Sequence, residues 1–408
     1  MTKGRRPMHH EGLSKAGLER LHEVMAGHVA AGRVPGLVLG LSRGDDVHVD
    51  AIGTAAVGGT EPMRPDALFR ITSMTRPVTA VATLMLVEQG RLGLDEPVDL
   101  LLPELAGRRV LRSLEGPLDD TVPAERSITV EDLLTFRLGF GSIMAPPGTY
   151  PIQAAEDELG LRTLGPPWPP PPFDSDEWIA RFATLPLMHQ PGAGWRYNTG
   201  AQVLGVLIER ATGQPLEAFL RSRLLAPLGM VDTAFSVPAE KQPRFTTAYL
   251  PDAGGELRLL DPPAGGWWNE PPAMANAAGM LVSTLDDFWA FVAMLLAGGV
   301  HGGERVLSAA SVAAMTRDHL TAEQRESSRL FLGEHGGWGY GMAAPGPITG
   351  EPPVPWGFGW DGGTGTRWRS DPARGLTTIL LTQRAMGSPE PPPIYREFWE
   401  AAYGAIEP

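Results

Sequence analysis

The most continuously apolar stretch of the chain, Val78 to Val87, carries no charge. Ala80-Val81-Ala82 and Leu84-Met85-Leu86-Val87 put apolar side chains on every helical face. A helix without a polar stripe belongs inside a protein. Thr72 and Ser73 are expected to cap its start, Pro77 suits a first turn, and Gly90 closes it. Upstream, Ser14 begins a helix with Leu18, Leu21, Met25 and Val29 on one side. The run Leu37 to Leu41 reads as a buried strand. Across the turn Arg43-Gly44-Asp45-Asp46, the alternation Val47-His48-Val49-Asp50 completes a hairpin.

From Asp95 to about Asp261 the pattern changes. Thr129-Val130-Glu131-Asp132 is a capping-box start, and Arg196 to Leu228 looks helical with a stop at Gly213 and a restart at Pro215. Gly165 to Phe173 is too rich in proline for helix or central strand, so it is a stiff loop, either a surface linker or the rim of a site. The last third returns to strands: a helix from Ser283-Thr284 through Phe288, Phe291 and Leu295, a hairpin of Trp368–Ser370 with Leu376–Thr382, and a terminal helix from Ile394 to Tyr403. Both ends of the chain thus contribute to one sheet. The expected architecture is an α/β domain of residues 1–94 and 262–408, a mainly helical insertion of 95–261, and the Ser73 helix between them.

Composition narrows the function. With 408 residues, 43% hydrophobic and 20% charged, the chain can bury a large core. A net charge of −13 disfavours nucleic acid and anionic membrane as partners. There is no cysteine, which excludes disulfides, thiolate metal sites and a cysteine nucleophile. Met1 to Gly12 is polar, and no apolar run reaches membrane-spanning length, so a cytoplasmic protein is expected.

Three groups of residues carry candidate chemistry. Ser73 sits at the mouth of a buried helix, where free backbone N–H groups favour negative charge, and Arg76 follows one turn later. Alone, Ser73 also reads as a plain cap. Tyr197, in Trp195-Arg196-Tyr197-Asn198, precedes a helix start; it is either a core aromatic or a phenol beside a cation that can exchange a proton. Trp360-Asp361-Gly362-Gly363-Thr364-Gly365 is a glycine-dense entry to a strand, either a simple turn or a place where a ligand approaches free N–H groups.

Ser73-Met74-Thr75-Arg76 resembles the Ser-x-x-Lys box of the serine β-lactamase and penicillin-binding-protein superfamily. The order of the three groups, with Phe69-Arg70-Ile71, Leu133-Leu134-Thr135, Pro191-Gly192, Pro227-Leu228-Gly229-Met230 and Gly279 to Thr284 around them, is similar to class C β-lactamases and the family VIII carboxylesterases. The resemblance runs from about Leu18 to Tyr403. It implies a β-lactamase-like fold, an antiparallel sheet flanked by helices with a helical insertion. It also implies that Ser73 is acylated, that Tyr197 is the general acid/base, and that the N–H groups of Ser73 and Gly363 form an oxyanion hole. Trp360, Asp361 and Gly362 fall where β-lactamases carry Lys-Thr-Gly and would contact substrate. Without that lysine, an uncharged ester or amide is the expected substrate.

Arg76 departs from the pattern, because a guanidinium keeps its charge and cannot serve as a base. Two outcomes follow: a hydrolase or acyltransferase with Tyr197 as sole base, or an altered homologue that binds ligand, or does non-covalent chemistry, without acylating Ser73. No Gly-x-Ser-x-Gly elbow, phosphate loop or His-x-x-x-His pair is present, and neither metal nor cofactor is expected.

Overall fold

The computed structural model describes residues 12–162, 170–346, 357–388 and 390–406. The histidine-containing tail and residues 165–169 of the proline-rich stretch lie outside the described residues. A five-stranded antiparallel sheet is drawn from both ends of the chain. Strands β1 (Gly36–Arg43) and β2 (Asp46–Gly53) come from the beginning; β3 (Asp361–Gly362), β4 (Thr366–Asp371) and β5 (Leu376–Thr382) come from the end. Their order is β3-β4-β5-β1-β2, and the central pairing sets Leu37 opposite Thr382 and Leu39 opposite Leu380.

Side chains alternate across a strand, so the two faces of the sheet feed two cores. Leu37, Leu39, Leu41 and Leu380 pack on one face with Leu21 and Met25 of helix α1 (Lys15–Ala30) and with Tyr395 and Phe398 of the terminal helix Pro393–Gly404. Val38, Ile379, Leu381 and Trp368 join the larger core on the other face. There Gly40 lets the helix Leu285–Leu296 come close, since a Cβ at that position would stand 3.1 Å from Leu285.

Helix α2 (Thr75–Glu88) is buried from Thr75 to Leu86, as its pattern predicts, and it packs against helix α3 (Thr199–Thr212). Its start differs from the sequence expectation. Thr72 to Met74 form a 3-10 turn that runs straight into α2, and the N-cap position is Met74, without a side-chain cap. A capping hydroxyl needs an extended residue before the helix, whereas residues 71 and 74 are already helical and Thr72 has φ +36°. Neither Thr72 nor Ser73 is a cap. The expected helix from Arg196 likewise begins only at Thr199, because Asn198 adopts φ +89° and breaks the backbone after Tyr197. The Thr129 capping box forms as expected, with Asp132 as its second member.

Candidate active site

A cavity of about 1190 Å³ opens beside the start of α2, and Ser73, Arg76, Tyr197, Trp360, Asp361 and Gly363 all border it. Residues separated by almost 300 positions therefore meet at one surface. Gly362 borders no part of it but lies directly behind: a Cβ there would strike Ile71 O at 2.4 Å and Thr366 Oγ1 at 2.1 Å. Gly363, by contrast, has open space where a side chain would be. No acceptor among the described residues takes the N–H of Ser73 or of Gly363.

Tyr197 is held by a ring of aromatics. Phe136, Trp195, Phe331, Trp338 and Trp360 have centroids 4.7–6.3 Å from its own. The indole N–H of Trp360 donates to the Tyr197 hydroxyl oxygen at 2.8 Å, with both residues buried. The Arg76 guanidinium lies 4.3 Å from the centre of the Tyr197 ring and donates to Asn198 Oδ1. Arg76 is 3% exposed, and its Nε and Nη1 find no acceptor among the described residues. Burial pushes its pKa down while the phenol beside it works the other way. The result is a buried positive charge beside Ser73 and Tyr197 with no carboxylate partner in the salt bridges of the described residues.

Asp361 is tied from behind. Arg369, its own pKa lowered to about 10 by burial, donates to both Asp361 oxygens at 2.8 and 3.1 Å. Arg367 also turns away from the cavity, towards Asp361 and the rings of Tyr395 and Trp399. These contacts fix the short strand Asp361–Gly362, which Trp360 and Gly363 flank.

Several wall residues carried no sequence signal. Trp267 and Trp268 border the cavity on a loop anchored by the buried pair Arg70–Asp261, whose Oδ1 accepts the Trp267 N–H at 2.8 Å. Pro170 to Phe173 also border it, which gives this described part of the proline-rich stretch the rim position. Glu156 of the short helix Pro151–Glu158 borders the cavity too, and its pKa is pushed up to about 8 by burial, with Asp157 adding to it. Nearby His189 is pushed down to about 4 by burial and by Arg196. Asn198, one residue past Tyr197, could have been suspected from its place at the helix entry. Glu156 could not, because its surroundings are assembled only by folding.

No group of residues suited to a metal ion occurs among the described residues, and no helix there is long and apolar enough to cross a membrane.

Comparison with known proteins gives a consistent set of relatives. The Beta-lactamase family model matches residues 21–401. An uncharacterised protein of Mycobacterium tuberculosis is 40% identical over 348 residues, 83% of this chain and 82% of its own. Esterase EstB of Burkholderia gladioli is 32% identical over 367 residues, 86% and 87% of the two chains. The solved structure of EstCE1, a hydrolase with promiscuous acyltransferase activity, shares the fold with a TM-score of 0.77 at 23% identity, covering 95% of this chain and 99% of its own. A match that spans the sheet, the buried helix and every stretch bordering the cavity places the chain in the Beta-lactamase family.

Proposed function

We propose that this protein is a serine hydrolase of neutral esters, working through an acyl-Ser73 intermediate that water or a second alcohol can accept. The observation that carries the reading is the convergence on one cavity of Ser73, the Tyr197 phenol under the Arg76 cation, and the open N–H of Gly363. Relatives named as an esterase and as a hydrolase with acyltransferase activity support it. The alternative, a site that binds without acylating Ser73, has no counterpart among them.

In this reading Tyr197 acts as a phenolate beside the Arg76 cation: Ser73 Oγ attacks the ester carbonyl carbon and its proton passes to the phenolate oxygen of Tyr197. Negative charge on the carbonyl oxygen is met by the N–H groups of Ser73 and Gly363. Tyr197 then returns the proton to the departing alcohol, and the same steps in reverse bring in water or an acceptor alcohol. Arg76 stands where the superfamily pattern has lysine and takes no proton. It contributes fixed charge, worth more at a buried position than in water. Trp360 replaces a cation that would recognise a substrate carboxylate, and Arg162, which also borders the cavity, is paired with Asp157.

Intact-mass analysis after treatment with a fluorophosphonate tests the acylation step. One adduct is expected, lost in Ser73→Ala; no adduct on the parent protein overturns the proposal. Short aryl acetates should be hydrolysed faster than penicillins, and equal rates on both would remove the role given to Trp360.

A further inference from the structure

Thr72 is a β-branched residue held at φ +36°, a conformation such residues rarely adopt. Its hydroxyl shows what holds it there. Thr72 Oγ1 accepts from Thr364 N at 3.4 Å and lies 3.2 Å from Thr364 Oγ1, while Thr364 Oγ1 donates to the carbonyl of Arg70. The roles form one directed chain: Thr364 N–H to Thr72 Oγ1, Thr72 O–H to Thr364 Oγ1, Thr364 O–H to Arg70 O. Both threonines are buried, at 7% and 2% exposure, so these bonds are shielded from competing water.

The chain joins two backbone segments that have no strand pairing with each other. One carries the N–H of Ser73, the other the N–H of Gly363. Thr366 Oγ1 adds a second rung to Ile71 O at 3.4 Å, and Met386 N–H holds the Gly363 carbonyl at 2.8 Å from the far side. Gly365, at φ +101°, makes the turn that brings Thr364 inward; a Cβ there would meet Arg384 O at 2.2 Å. Arg70 extends the tie outward, because its side chain is locked to Asp261 and to the carbonyl of Thr246.

We infer that Thr72 and Thr364 are positioning residues for this reaction, a hydroxyl latch that sets the spacing of the Ser73 and Gly363 N–H groups. The inference rests on the acyl-Ser73 reading. Neither threonine touches the reacting atoms in it; each acts through the backbone it fixes. A pair of donors must match the oxygen of the tetrahedral intermediate, not that of the resting ester, so a loosened latch lowers kcat and spares KM.

The test compares Thr364→Val, which keeps the shape and loses the hydroxyl, with Thr364→Ser, which keeps the hydroxyl. With p-nitrophenyl acetate, Thr364→Val should lose roughly 10–100-fold in kcat, short of removing a donor outright, with KM within about threefold. Fluorophosphonate labelling of Ser73 should slow in parallel, and Thr364→Ser should recover most of the rate. A folded Thr364→Val with kcat within about threefold of the parent, or with only KM changed, overturns the latch. If Thr364→Val does not fold, Thr72→Ala decides by the same measurements. Failure of the parent to label Ser73 defeats the acylation reading instead, which keeps the two outcomes apart.

Discussion

Replacing Trp360 by phenylalanine separates two roles that its position allows. As a wall of the cavity, the indole would contact substrate through its ring. As a donor to Tyr197 at 2.8 Å, it would act on the group that moves the proton. Phenylalanine keeps an aromatic against Trp338, whose ring stands edge-on at 4.7 Å, and removes only the N–H and part of the ring. A hydrogen bond between neutral groups contributes about 0.5–1.5 kcal/mol, and one to a charged group about 1.5–3 kcal/mol. Only the difference between resting and transition states affects kcat, so the loss should be about 1–2 kcal/mol. That corresponds to roughly a 5- to 30-fold fall in kcat, with KM little changed. Steady-state kinetics on p-nitrophenyl acetate, with thermal unfolding as a check on folding, gives both numbers. If kcat stays within about twofold and KM rises, Trp360 is a wall and nothing more, and the proton-transfer role given to its N–H is refuted.

Two further substitutions probe the charges around the cavity. Arg76→Lys should preserve or increase ester hydrolysis, since it keeps a cation at the start of α2 and adds an amine able to exchange protons; a loss beyond about tenfold would show that the two-sided hold on Asn198 and the Tyr197 ring is essential. Glu156→Gln should change the pH dependence of stability. Between the ordinary value of 4.5 and about 8 the folded protein holds a proton that the unfolded chain has released, so the stability this group contributes is present below 4.5 and is lost as pH rises to about 8. The Tm of Glu156→Gln minus that of the parent should therefore grow across that window, and a difference constant with pH would contradict a raised Glu156 pKa.

What the sequence revealed, and what it hid, follows from the range of the interactions. The buried helix of residues 75–88 and the two hairpins were legible because their patterns are local: apolar on all faces, or alternating on either side of a turn. The Thr129 capping box was legible for the same reason. The start of α2 was misread because hydroxyl residues before an apolar run normally cap it. Here the hydroxyl of Thr72 is engaged by Thr364, 292 positions away. The bond from Trp360 to Tyr197 spans 163 positions and depends on how the sheet meets the helical region. The residue types of the site could be chosen from sequence, but their hydrogen-bond partners could not.

The site also stands out on energetic grounds that owe nothing to resemblance. Among the described residues, three that are not glycine have positive φ: Thr72, Phe136 and Asn198. Thr72 precedes Ser73, Asn198 follows Tyr197, and the Phe136 ring meets that of Tyr197 edge-on at 5.9 Å. Conformations of this kind cost about 1–3 kcal/mol each and persist only where the surroundings enforce them. Arg76 adds a buried guanidinium with two nitrogens that find no acceptor among the described residues, another unfavourable feature beside Ser73 and Tyr197. A fold selected for stability alone would have relaxed the backbone and placed an apolar residue at position 76. The surrounding core is large and closely packed, and it supplies the stability that lets these features persist. Backbone strain and a buried cation gathered beside one hydroxyl and one phenol are what a preorganised catalytic site requires. They support the proposal that the chemistry lies at Ser73 and Tyr197, on grounds independent of the order of the motifs.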